Sequence, residues 1–222
     1  KQQEKMAETC SQCGKAGPLS VCSSCKVVRY CGRECQALHH TSHKTDCKKV
    51  KKLIDNTAKA ERALRAEFQA DNGIDVFEEE AGNFWGWHET RPYMRSRYSH
   101  FLLLSEQGMH NKYALQEAVV QGRDMLRLCR GDNLGIRDNM ISLYLLLNTY
   151  KGMQSCYDFA KWWDTGDPNG TYDWGDSTLP YLNLSGENML EASYPELLKK
   201  FASINNVAGI AVIKMRLMLQ LD

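Results

Sequence analysis

Long apolar runs are missing from this 222-residue chain: no stretch approaches the about 18 consecutive apolar residues that a membrane-spanning helix needs. No basic stretch followed by an apolar one has the form of a secretory leader, and the chain begins at Lys1 rather than at a methionine, as a trimmed fragment would. A glycine-rich phosphate-cradling loop, a nucleophile elbow and an HExxH helix are also lacking, which removes the common signatures of nucleotide, serine-hydrolase and zinc-protease chemistry. Charge of one sign is not in excess either, since the formal net charge is +1. That balance hides an asymmetry. Residues 1–70 hold 14 Lys and Arg against 7 Asp and Glu, whereas residues 71–222 hold 14 against 20. The basic run KTDCKKVKKL within the first part reads as a solvated helix face, so nucleic acid is not expected as a partner.

What the sequence does have is cysteine in pairs. Seven of nine cysteines fall between Cys10 and Cys47, as Cys10-x2-Cys13, Cys22-x2-Cys25, Cys31-x3-Cys35 and His43-x3-Cys47. A Cys-x2-Cys turn lets two thiolates converge on one ion at about 2.3 Å from each sulfur, and positions i and i+4 share one face of a helix. A disulfide framework needs no such short spacings and would leave one of the seven unpaired. A redox Cys-x2-Cys would be expected once, near a βαβ pattern that this sequence lacks. Four ligand pairs make two closed tetrahedral zinc sites with no position open to a substrate, so the metal is structural. A module of about 40 residues cannot bury enough apolar surface to fold alone, and each structural zinc supplies ~10–16 kcal/mol of apparent folding energy. Spacing alone leaves open whether successive pairs form separate knuckles or alternate pairs interleave. His39 and His40 compete with His43 as the eighth ligand. Cys129 and Cys156, amid apolar neighbours in helical patterns, read as buried packing.

The run C-x2-C-x8-C-x2-C-x5-C-x3-CQ-x6-HK-x2-C, with Tyr30 before Cys31, Gln36 after Cys35 and Lys44 after His43, resembles the MYND zinc finger over residues 10–47. The resemblance implies interleaved sites: Cys10, Cys13, Cys31 and Cys35 on one zinc, and Cys22, Cys25, His43 and Cys47 on the other. It also implies a protein-interaction role. In relatives, the glutamine equivalent to Gln36 and a tryptophan at the position of His40 help line a groove for short Pro- and Leu-containing peptides. Here His40 replaces that tryptophan. The phrases FWGWHETRPYMR, CYDFAKWW and GTYDWGD are similar to those of a group of fungal MYND-finger proteins with a helical region.

After Cys47, the residues Val50, Leu53, Ile54, Ala60, Leu64 and Phe68 recur at helical spacing and predict one amphipathic helix ending at the DNGID turn signal. The expected division is a tail over 1–9, the finger over 10–47, a linker helix over 48–72 and an all-α region over 73–222 with its own apolar core. In that region Thr90 or Glu89, Pro92 and Gly108 frame one helix, and further helical patterns follow in NKYALQEAVVQGRDMLRLCRGDN, IRDNMISLYLLLNTYKG and QSCYDFAKWWDTGD. Two helix pairs align Arg95 with Arg137, Leu103 with Leu145, Leu104 with Leu146 and Ala118 with Ala160. This predicts a stacked α-solenoid that resembles tetratricopeptide repeats but has a longer period and Gly122 where a bulkier residue is expected. Residues 164–187 read as an ordered loop, Ser193 with Glu196 as a capping box on the next helix, and the apolar C-terminal helix as the element that closes the stack.

No catalytic constellation is expected. His88 and Glu89 are adjacent and diverge by about 100° on a helix, while Asp164, Asp167, Asp173 and Asp176 sit among turn formers. The reading from sequence is therefore a non-enzymatic, zinc-dependent adaptor in the cytoplasm or nucleus, binding a protein or peptide partner. Gln36, His40, Trp162 and Trp163 are its candidate partner-binding residues. The alternatives are a fragment of a MYND-containing lysine methyltransferase and a nucleic-acid-binding regulator.

Overall fold

The zinc-ligand segment and the helices are joined by one rod, α1 (Arg33–Asp71), a helix of 39 residues. The structure is a computed structural model and describes residues 8–71, 73–165, 176, 186–191 and 203–219, with the side chains of 162–165 excepted. Before α1, a short antiparallel pair, β1 (Ser20–Val21) and β2 (Arg29–Tyr30), sets Ser20 opposite Tyr30 and Val21 opposite Arg29. After it come α2 (Val76–Glu79), a 3-10 turn at Phe84–Gly86, α3 (Arg91–Gly108), α4 (Lys112–Leu128), α5 (Ile136–Leu146), α6 (Tyr150–Thr165) and α7 (Ile204–Met218).

The helix expected from residue 48 starts at Arg33, so α1 carries the last three ligand positions and the whole linker without a break. It buries Val50, Leu64 and Phe68, and α3 is the helix it packs on most; the Phe68 ring meets Trp87 edge-on at 5.4 Å. From there α3 packs on α4, α4 on α5, α5 on α6, and α7 on both α5 and α6. Buried finger residues such as Val27, Val28 and Tyr30 belong to the same continuous apolar cluster as Phe101, Leu104, Met140 and Ile210. One core therefore runs from the finger to α7, where the sequence suggested two stability sources.

Local signals account for most boundaries. Pro92 lies in the first turn of α3, and Thr90 precedes that helix. The Thr90 hydroxyl does not cap the helix but bonds back to the carbonyls of Phe84 and Trp87. Asn111 caps α4 by accepting from the backbone N–H groups of Tyr113 at 3.0 Å and Ala114 at 3.4 Å. The YKG sequence, grouped by pattern with α5, opens α6 instead, because Asn148 takes φ +47° between them.

Burial does not follow the alignment of the two helix pairs that identical residues suggest. Burial pairs Arg97 with Arg137, His100 with Met140, Phe101 with Ile141 and Leu104 with Tyr144, all eight being buried. Arg95 and Leu146 are exposed. Ala118 and Ala160 are both fully buried, as close helix contact requires. Cys129 and Cys156 are buried free thiols, and burial pushes the Cys156 thiol up to about 12. The side chains of Trp162, Trp163 and Asp164, the residues Asp167 and Asp173, most of 164–187, and the Ser193–Glu196 capping box lie outside the described residues.

Candidate metal centre

Each ligand pair is held by a backbone device that its own sequence encodes. Cys10 and Cys13 sit on a turn closed by Gly14 N–H donating to the Cys10 carbonyl at 2.9 Å, with Gly14 at φ +72°. Cys22 and Cys25 sit on a second such turn, in which Lys26 at φ +64° donates to the Cys22 carbonyl at 3.0 Å. Cys31 follows β2 directly, Cys35 lies in the opening turns of α1, and His43 and Cys47 lie two and three turns further along the same helix. Cys35, His43 and Cys47 share one face, and about 12 Å of helix rise separates the first from the second. One rod therefore serves two sites at different heights.

The side chains gather into two groups, Cys10, Cys13, Cys31 and Cys35, and Cys22, Cys25, His43 and Cys47, with ligand atoms within 4.8 Å of one another in each. The alternate pairs interleave. A regular tetrahedron with metal–sulfur bonds of about 2.3 Å has sulfur–sulfur edges of about 3.8 Å, and replacing one sulfur by a nitrogen at about 2.05 Å shortens the edge to about 3.6 Å. The structure gives 3.7 Å for Cys13–Cys31, 3.5 Å for Cys31–Cys35 and 3.8 Å for Cys22–Cys47 between sulfurs, and 3.5 Å from Cys25 Sγ to His43 Nε2. All are far from the disulfide distance of about 2.05 Å. The donor set fits zinc.

Electrostatics point the same way. Burial opposes ionisation of Cys10, but the backbone N–H groups of Cys13, Cys31 and Gln12 with the Cys13 thiol outweigh it and bring Cys10 down to about 6. Two other thiols resist ionisation: Cys35 is pushed up to about 12 by the thiols of Cys31 and Cys13, and Cys25 to about 12 by burial and the charge on Cys22, whereas at Cys22 burial is outweighed by the backbone N–H groups of Cys25 and Ser24, which lower it. Thiols that suppress one another's ionisation become four ligands only when a cation supplies the compensating charge. Burial, with His39 alongside, lowers the pKa of His43, which favours the neutral imidazole that a metal needs.

Neither competing histidine is a ligand. The His39 ring stacks on His43 at 5.4 Å, and its Nδ1 is 3.1 Å from the Tyr30 hydroxyl. His40 is exposed, as is Gln36 one turn before it, and neither joins a ligand group.

Spacing could not reveal how the finger docks. The Tyr113 hydroxyl accepts from Thr9 N–H and donates to the Thr9 carbonyl, both at 2.8 Å, and Lys112 Nζ donates to Thr9 Oγ1 at 2.8 Å. The Arg29 guanidinium lies 4.8 Å above the Tyr113 ring, and Asn111 Nδ2 donates to the Val27 carbonyl at 3.3 Å. Beside these ties a cleft of about 830 Å³ opens between the finger, α1 and the α3–α4 turn, lined among others by His39, Asp46, Glu106 and His110. The aromatic residues around position 85 are tied into the fold: Trp87 Nε1 donates to Glu80 at 2.8 Å, and Arg91 both donates to the Trp85 carbonyl and covers its ring.

No solved structure matches the chain. Residues 10–47 match the family model of the MYND finger, and with two four-ligand groups at zinc-compatible spacing this segment is a MYND-type zinc finger leading into an all-α region.

Proposed function

We infer that the chain is a non-enzymatic adaptor in which two structural zinc ions hold a protein-binding finger on a TPR-like helical scaffold. The observation that carries this reading is closure: each group offers four protein ligands, so neither ion has a position left for substrate or activated water. MYND fingers mediate protein interactions, and the finger here presents Gln36 and His40, one turn apart and exposed, at the start of α1. The related burial of α3–α4 and α5–α6 supports a repeat scaffold, and the reduced cysteines suit the cytoplasm or nucleus. The methyltransferase alternative needs a β-rich catalytic region. Among the described residues there are two strands of two residues each, which give it no support.

Titrating the isotope-labelled, zinc-loaded chain with a short Pro- and Leu-containing peptide tests the reading by NMR. Amide shifts should cluster around Gln36 and His40, and His40→Trp should tighten binding. Shifts elsewhere, or none at millimolar peptide, would remove the finger as the recognition surface.

A further inference from the structure

The face of α1 opposite its buried residues carries a basic stripe. At 100° per residue, Lys44, Lys48, Lys51, Lys52, Lys59 and Arg62 fall within an arc of about 100°, and all six are exposed. Between residues 44 and 62 the arc holds one other residue, Asp55, and no apolar one. The stripe is about 27 Å long at 1.5 Å per residue. Within it, among the described residues, the one ion pair joins Lys51 to Asp55, with Nζ 2.7 Å from both carboxylate oxygens. Lys48, Lys51, Lys52 and Asp55 also line a shallow basin of about 410 Å³ against Ser24 on the Cys22–Cys25 turn.

Neither the zinc sites nor the helix itself explains the stripe. A zinc bound by three thiolates and a histidine carries a net −1, which Lys44 and Lys48 suffice to balance. Arg62, by contrast, lies about 22 Å along the helix from Cys47, well beyond the ~8 Å screening length at physiological salt. Helix stability disfavours the arrangement, because Lys44–Lys48, Lys48–Lys52 and Lys59–Arg62 are like-charged neighbours at i+3 or i+4.

We propose that this face of α1 binds the phosphate backbone of a nucleic acid, without sequence preference, with the Lys48–Lys51–Lys52 basin seating one phosphate in place of the Asp55 carboxylate. A protein partner would need an aromatic or aliphatic anchor to bury, and the stripe offers none. Phosphate needs only point charges, which lysine supplies and which release counterions on contact. A duplex carries one charge per about 1.7 Å of axis, so a 27 Å stripe can meet a phosphate at every cation. The Lys48–Lys51–Lys52 basin begins about 12 Å along α1 from His40, and the proposal departs from the solvated-face reading of the lysine run.

The test is fluorescence anisotropy of the full zinc-loaded chain with a labelled 20-base-pair duplex of arbitrary sequence. Six contacts predict a slope of log K against log salt of about −5.4, which is a roughly 1,800-fold loss of affinity between 50 and 200 mM salt. Replacing Lys48, Lys51 and Lys52 together by Gln should make the slope shallower by about 2.7, whereas Lys151→Gln, on exposed α6 surface, should leave it unchanged. Absence of binding at 50 mM salt overturns the proposal, as does an unchanged slope in the triple variant. Tighter lysine-dependent binding to phosphatidylserine vesicles or to a polyglutamate peptide at the same salt overturns the nucleic-acid assignment.

Discussion

Tyr113→Phe removes a single oxygen that joins the finger to the helical array, and its consequences separate a docked finger from an independent one. Tyr113 is 6% exposed in the first turn of α4, and its hydroxyl makes both hydrogen bonds to the backbone of Thr9, immediately before the zinc ligand Cys10. The variant keeps the ring, and with it the Arg29 contact at 4.8 Å. Two hydrogen bonds contribute about 1–3 kcal/mol net, and because Thr9 is only half-buried, water restores part of that, leaving about 1–2 kcal/mol. In a metal-stapled module the binding energy of zinc is folding energy, so the loss should appear as roughly 5- to 30-fold weaker zinc retention at about 1.4 kcal/mol per tenfold. Competition with a chromophoric chelator measures this, with far-UV circular dichroism following the helices. Zinc affinities within twofold of wild type at both sites would refute the coupling and restore two independent folding units.

Further consequences can be measured directly. His43→Ala should release one of two zinc ions in native mass spectrometry, whereas His39→Ala should retain both, since His39 bonds to Tyr30 rather than facing the ligand group. Gly122→Ala should lower urea stability by about 1 kcal/mol: its Cβ would meet Met140 Sδ at 2.5 Å and Phe101 Cε2 at 2.9 Å, and an overpacking cost of about 1–3 kcal/mol exceeds the ~1 kcal/mol gain in helix propensity. For Asp124, burial opposes ionisation, but the hydrogen bonds from Arg97 and Arg127 prevail and hold its pKa below the usual carboxylate range. Its stabilisation is then complete above the unfolded value near about 3.9 and is lost as pH falls through the lower folded value. Asp124→Asn should therefore destabilise at pH 7, and its deficit in thermal melting should shrink below about pH 3.5; a deficit that is constant across this window would remove the charge as its cause.

The sequence made legible whatever depends on neighbours along the chain. The ligand pairs declared themselves because a tetrahedral site needs short spacings, and the start of α3 because Pro92 acts within one turn. The continuity of α1 was hidden by treating the metal motif as a closed unit ending at Cys47, although His43-x3-Cys47 is itself a helical spacing. Identical residues are a poor guide to burial across the expected repeat: Arg95 and Leu146 are exposed, whereas Arg137 and Leu104 are buried. Docking through Thr9 and Tyr113 joins residues 104 positions apart, and no local pattern encodes a tie that depends on where two distant turns meet.

The long helix also explains why two metal sites of unequal charge can share one support. Zinc with four thiolates carries a net −2, and this group places Cys31 just before α1 and Cys35 in its opening turns, where the unpaired N–H groups and the helix dipole favour negative charge by about 0.3–1 kcal/mol. The group with His43, at net −1, lies further along, past the reach of the dipole, and its Cys22 and Cys25 thiols are instead buried against the strand pair and α1. The more charged site thus has the helix terminus and exposed Cys13 and Cys31, while the less charged one has the interior. A histidine in place of one cysteine at the second site halves the net charge held there, beside the buried Cys22 and Cys25.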